Sequence, residues 1–582
     1  MFSKLKRIFA TFSKRERLAA LVALVVLAVT GIARLASAIE ENSSLIPIAG
    51  GTYVEGIIGQ PTIVNPVLSG NQPDQDIAAL VFSPLSSLLA SLDVDQTGRT
   101  YTMKLKEGLT WDDGVPLTSD DIVFTVHTIQ DPGARSPLER SWQGIQAERE
   151  SELQVRFTLP TPFSFFPQTI GRLAPIPRHI FGAIPIENLR LSSFTLEPVG
   201  NGPYRFNRMT TRKDGFITRY ELVPNEHYNA DPPFIQTFTF AFFEREEDLR
   251  TAFRLREVQG FGSLLPESGA VATLAPTVIE TLPMPRLYGV FFNALNNPAL
   301  ADRDLREALS LSIDRERIVR EVFGGQANAI QSPIFFDLVE RAETATGSIS
   351  LLMGGSAPAA TSAATSTAPS TVSSTTLTQS TSTIPAVALA YDPEAARAHL
   401  DRVDDRDVKL TVIVPNVDFL KQIADIVKDS WNAVGLSNVE VIALEPDDVA
   451  RDILKTRNYE LLLFGNVLQD PADLFPFWHS SQRFSPGLNL SLYQNQKADT
   501  AMESIRQASD PKSRKENLLR LDTQLTNDTP AVFLTSVPYF YTHTERLKGF
   551  TAGSGETSMV VAPNDRFRNV AHWYVSEARV LD

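Results

Sequence analysis

From Val408 onward the sequence alternates short apolar runs with longer amphipathic ones, and this alternation constrains the fold more than any other feature. VKLTVIV (408–414) has the composition of a strand. Residues 418–434 then place apolar side chains on one helical face and end at Gly435, 439–443 is strand-like again, and 447–455 is helical. LLLF (461–464) follows polar Asn458, Tyr459 and Glu460 without internal alternation, the pattern of a strand buried on both faces. This order predicts a parallel α/β lobe. The strand is expected to stop at Gly465, where Asn466, Val467 and Gln469 give way to the carboxylates Asp470 and Asp473 and then to the aromatics Phe475, Phe477 and Trp478. Polar groups and aromatics at the C-terminal edge of a buried strand suit a ligand crevice. Asp470 serves equally well as a helix N-cap, and both readings stand at this point.

A chain of 582 residues exceeds what one hydrophobic core supports, so two or more domains are expected. The net charge is −14, although the first 17 residues carry six cations against the single acid Glu16. The rest of the chain is therefore more acidic still, which argues against nucleic acid as a partner. There is no cysteine, which excludes disulfides, thiolate catalysis and zinc–thiolate sites. Behind the basic cluster, residues 18–38 are apolar apart from Arg34 and end in Ala36-Ser37-Ala38. That stretch can span a bilayer or be removed as a signal peptide. The positive charges place 1–17 in the cytoplasm and the body outside. Residues 39–50 read as a linker.

Asp93, Asp95, Thr97 and Gly98 imitate the start of a calcium loop, but Lys104 stands where a bidentate Glu is needed, so a hairpin turn is expected instead. Thr118 to Asp121 has capping-box spacing. Seven dispersed histidines offer no metal-ligand spacing, and no catalytic or phosphate-binding motif is complete. The acid pairs Asp112-Asp113 and Asp120-Asp121 are explained by turn and cap roles. A non-enzyme without a cofactor is the expectation. From Gly354 to Thr383, Ser and Thr make up 17 of 30 residues, a composition read as a disordered insertion spanning 344–390.

LKEGLTWDDGVPLTSDDIVFTV (105–126), VGNGPYRF (199–206), PNEHYN (224–229), residues 291–325, YDPEAARAHL (391–400), the stretch 461–480 and 529–550 resemble, in order, the extracellular solute-binding family of oligopeptide, dipeptide and nickel-chelate ABC importers. Asn201 replaces the family's usual Thr, and Asn466 its Trp. The resemblance implies a two-lobe, periplasmic-binding-protein-like α/β fold with discontinuous lobes. Lobe 1 would comprise 51–288, with an extra subdomain at about 75–170, together with 536–582. Lobe 2 would comprise 289–535. The chain would cross between them near 288–293 and 533–536. It implies a monomer on the outer face of the membrane, or free in the periplasm if residues 18–38 are cleaved. Such a protein captures a peptide, or another solute such as a metal chelate or oligosaccharide, by hinge closure and passes it to permease subunits driven by a cytoplasmic ATPase. Asp470 is implied as the partner of the peptide amino terminus. Gly465, Asn466 and Val467 offer backbone for strand-like pairing, and Glu55 and Trp478 complete the expected lining.

Overall fold

A computed structural model gives the fold and describes residues 13–41, 43–263, 265, 276–343, 390–403, 408–551 and 560–581. The Ser/Thr-rich insertion lies outside the described residues apart from its last position.

Two large sheets organise the body. The first has seven strands in the order Thr277–Leu282, Tyr539–Thr544, Gly260–Ser263, Thr52–Ile58, Thr237–Phe243, Ile217–Pro224 and Tyr204–Thr211. A four-stranded antiparallel sheet (Leu89–Val94, Thr100–Leu105, Gln154–Thr158, Gln146–Ser151) shares its core, which buries Tyr53, Trp111, Trp142 and Trp573. The second large sheet has six strands in the order Asn328–Ala329, Ala531–Ser536, Arg286–Phe292, Leu461–Val467, Leu410–Pro415 and Val439–Leu444. It is mixed rather than parallel throughout. Leu410–Pro415 runs parallel to both of its neighbours, whereas Arg286–Phe292 is antiparallel to both of its own. The difference arises because Arg286–Phe292 enters the sheet from the other lobe and Ala531–Ser536 leaves toward it, both outside the strand–helix repeat that the sequence displays.

Leu461–Val467 is central to this second sheet. Leu461 and Leu463 join the core on one face and Leu462 the core on the other, all three fully buried. That agrees with the unbroken apolar run. The strand does not stop at Gly465, however, but continues to Val467. Gly465 lies opposite Tyr288, and a Cβ there would come within 2.5 Å of the Tyr288 ring, so the glycine makes room for a cross-strand aromatic instead of ending the strand.

The two sheets are joined at two short crossings. Thr277–Leu282 belongs to the first and Arg286–Phe292 to the second, so the chain passes over through Pro283, Met284 and Pro285. This is earlier than the expected 288–293, where the chain is already in strand. It returns through Val537 and Pro538, between Ala531–Ser536 and Tyr539–Thr544. The buried Arg286 guanidinium donates to the carbonyls of Val537 (3.0 Å) and Pro538 (2.9 Å), tying one crossing to the other.

The family-like blocks have structural causes. In 199–206, a Cβ on Gly200 would lie 2.1 Å from the Val81 carbonyl oxygen and one on Gly202 2.5 Å from that of Leu80, so only glycine fits. Between them Asn201 accepts from the Ser83 N–H at 3.0 Å. Asp121 caps helix Ser119–Gln130 by accepting from the Thr118 N–H at 2.8 Å. Asp95 closes a hairpin turn, accepting from Thr97, Arg99 and Thr100, and these bonds hold its carboxyl down at about 2. Asp302 and Asp314 cap successive helices, and Gly324 ends the second with φ of 57°.

At the N-terminus, helix Lys14–Glu41 has 28 residues. Among the described residues no helix is long and apolar enough to cross a membrane. Within the stretch read as a linker, Ser43–Pro47 is a strand that pairs with Glu577–Leu581 near the chain's end.

Candidate functional site

Val467 pairs with Arg286, one residue beyond the first crossing. The end of the central strand therefore lies at the hinge between the lobes. One edge of this strand is fully paired with Arg286–Phe292. On the other, Leu410–Pro415 meets only Leu461 and Leu462. Among the described residues no strand covers that edge of Leu463, Phe464, Gly465, Asn466 and Val467. Asn466 is 8% exposed and Val467 41%.

The loop that follows is held by both lobes. Arg172, at the end of helix Phe166–Arg172 in the first lobe, donates to the Gln469 carbonyl at 2.5 Å. Asp470 is half-buried, and its side chain accepts from the Ala472 N–H at 2.9 Å, closing a tight turn. Burial pushes its carboxyl up to about 6, against the pull of that N–H and of Arg172. Asp470, Ala472, Val339, Ala342, Glu343 and Arg514 of the second lobe line a small pocket with Phe165 and Gln168 of the first. Asp473 points elsewhere and forms a two-pronged pair with Arg506, 2.8 Å on each arm.

Two expected lining residues are placed otherwise. Trp478 is 1% exposed and packs among Phe291, Tyr493 and Phe533, so its ring belongs to the core of the second lobe. Its neighbours come from distant strands, which local spacing does not reveal. Glu55 lies inside strand Thr52–Ile58 rather than at its end, with no exposed surface. Its carboxylate accepts from Arg566 (2.9 Å) and from the Tyr541 hydroxyl (2.8 Å), and Arg566 also pairs with Asp76 at 2.7 Å. These partners saturate Glu55 within the chain. Asn466, Val467, Gly465 and Asp470 do come together, at the strand end and its loop. Arg172, Phe165 and Arg514 were not anticipated, since they lie hundreds of residues from the motif or carry no motif themselves.

Asp304, Glu307 and His399 are close enough to share an ion. Arg402 stands 2.9 Å from Asp304 and Arg303 2.7 Å from Glu307, so this cluster is a neutralised ion network on the helix surface. Asp112 accepts from the Gly200 N–H, and burial pushes its carboxyl up to about 6, while Asp113 pairs with His179 at 2.8 Å. Both support the turn before helix Ser119–Gln130, as expected.

Comparison with known proteins places this geometry. Similar proteins include the oligopeptide-binding protein AppA of Bacillus subtilis, 23% identical over 87% of this chain and 89% of that protein. Protein XP55 of Streptomyces lividans is 26% identical over 86% of each chain. Among solved structures, the ABC transporter substrate-binding protein CtaP of Listeria monocytogenes superposes with a TM-score of 0.72 at 25% identity, covering 90% of this chain and 99% of that one. AppA of Bacillus subtilis in complex with a nonapeptide gives 0.67 at 20% identity, covering 91% and 100%. These structures share the two-lobe α/β fold. The profile of the bacterial extracellular solute-binding proteins, family 5, matches residues 84–485, and the chain belongs to that family.

Proposed function

We propose that this protein captures peptides between its two lobes and presents them to an ABC permease. The carrying observation is the edge of the central strand from Leu463 to Val467, which no strand among the described residues covers and which lies beside the hinge. An extended peptide added there would satisfy its backbone polar groups whatever its side chains, giving sequence-tolerant binding. AppA, solved with a nonapeptide and similar over nearly the whole chain, supports the reading. Asp470, in the loop that follows Val467, would receive the peptide's ammonium group; Gly465, Asn466 and Val467 would supply backbone. Glu55 and Trp478 are left out of this assignment.

The test is calorimetric. A random peptide pool should bind the wild type and bind Asp470→Asn more weakly by on the order of 1–3 kcal/mol, as for a lost charged hydrogen bond. Amino-terminal acetylation of the pool should cost the wild type a similar amount and the variant little. Equal affinity of both forms for the free pool would remove Asp470 from the site.

Helix Lys14–Glu41 is assigned as a retained anchor that keeps the body on the outer face of the membrane. The sequence supports the reading: residues 18–38, apolar apart from Arg34, follow a cluster of six cations. Leu18, Leu24, Leu27 and Ile32 are each more than 60% exposed, so in water they would be unprotected. Membrane fractionation followed by intact-mass measurement tests this. A membrane-bound full chain is expected, whereas a released chain starting at Ile39 would contradict it.

A further inference from the structure

One short segment of the first lobe reaches into the second. Helix Phe166–Arg172 is rooted by Phe166 and Ile170 in the first lobe's core. Phe165, immediately before it, is 3% exposed and belongs to the second lobe's core, beside Trp478, Phe335 and Leu474. Phe163 packs against both cores.

Each of these two rings faces an arginine of the second lobe. The Arg506 guanidinium lies 5.3 Å from the centre of Phe163 and 3.9 Å from that of Phe475, and Arg514 lies 5.2 Å from Phe165. Both arginines take their carboxylates from their own lobe: Arg506 from Asp473, Arg514 from Glu343, each at 2.8 Å. Between the rings the Ser164 N–H donates to the Arg506 carbonyl at 2.8 Å, and Arg172 donates to the Gln469 carbonyl.

This division of partners has a mechanical meaning. Separating the lobes would break ring–guanidinium contacts, neutral-acceptor hydrogen bonds and the burial of Phe165. It would leave both ion pairs intact, so no charge would be stranded in a low-dielectric surface. Such a contact can form and release repeatedly, whereas an ion pair spanning the lobes would resist opening. The segment also borders the pocket that holds Asp470, so its closure and that of the proposed site coincide.

We propose that Phe163 and Phe165, seated on Arg506 and Arg514, set the fraction of closed molecules and thereby the ligand affinity. The proposal rests on the two-lobe capture reading above. Apparent affinity scales with the populated fraction of the binding-competent state, so weakening the clamp weakens binding through faster release.

The chain has no cysteine, so Glu148→Cys and Lys497→Cys, exposed positions on opposite lobes, give a clean dye pair for energy transfer in the full chain. Phe165→Ala should lower transfer in the ligand-free protein. It should also raise the dissociation constant for a random peptide pool about tenfold, mainly by faster dissociation. Arg506→Lys keeps the charge beside Asp473 but loses the flat guanidinium face, and Arg172→Gln loses one carbonyl contact. Each should shift transfer in the same direction by less. Unchanged transfer in Phe165→Ala overturns the proposal. If that variant fails to fold, unchanged transfer in both arginine variants overturns it equally. Ligand-free transfer is independent of ligand identity: reduced transfer together with no peptide binding by the wild type would keep the clamp and reject the peptide reading.

Discussion

Asp470 was open to two readings, a capping acceptor and a ligand carboxylate, and the proposed site rests on the second. Its side chain closes the turn to Ala472, as an N-cap-like acceptor would, and the same carboxylate stands at the lobe boundary. Because burial raises its carboxyl to about 6, the charge needed to meet an ammonium group is lost as pH falls through that value. Peptide affinity should therefore drop between pH 7 and pH 5 in the wild type and change much less in Asp470→Asn, which titration calorimetry at stepped pH would read. The sign for stability is opposite. Asp470 and Asp112 both have folded values above the unfolded 3.8, so between about 4 and 6 the folded state binds more protons and stability falls as pH rises. Asp112→Asn retains an acceptor for Gly200 and should flatten that slope, adding on the order of 1–3 kcal/mol above pH 6 in denaturant titrations. Glu55 makes a contrasting case. Arg566→Met would leave Glu55 and Asp76 as buried uncompensated carboxylates, at a cost of about 3–5 kcal/mol in the same assay. The sequence displayed Glu55 only as an acid near a strand end. Its partners Arg566 and Tyr541 lie more than 480 residues away, and no local pattern announces them.

At the scale of elements, glycines and strand lengths mark what local pattern can and cannot convey. The unbroken run at 461–464 correctly signalled a strand buried on both faces, because both requirements are written into side-chain polarity. Its end was misplaced because Gly465 answers to Tyr288 on a neighbouring strand contributed by a remote segment. Likewise, the physical demand at Gly200 and Gly202 is the Val81 and Leu80 carbonyls against which they lie, more than a hundred residues away in sequence. Gly200→Ala should accordingly destabilise by about 1–3 kcal/mol, measurable as a lower thermal midpoint, since the obstructing atom is backbone and cannot rotate away. The capped helices were legible throughout, each having its Asp or Thr cap in sequence contact with the N–H groups it serves. Helix 447–455 was less so: short helical pieces interrupted by a wider turn at Val449–Ile453 replace one regular helix.

For the whole molecule, the two crossings and the link that Arg286 makes between them define a hinge around which the lobes can rotate. The alternation of strands and helices from Val408 marked strands of the second sheet, while Tyr539–Thr544, late in the chain, pairs in the first sheet with Gly260–Ser263 and Thr277–Leu282. The contacts across the cleft were not legible, because they depend on how the lobes meet. Peptide capture is proposed at that boundary, where a strand edge that no described strand covers, a raised carboxyl and an aromatic segment converge. The direct measurement is X-ray scattering of the full chain in detergent, with and without a saturating random peptide pool. Peptide should shrink the radius of gyration of the body in step with calorimetric saturation. Peptides that neither bind nor compact the protein, at concentrations up to the millimolar range, would contradict the account.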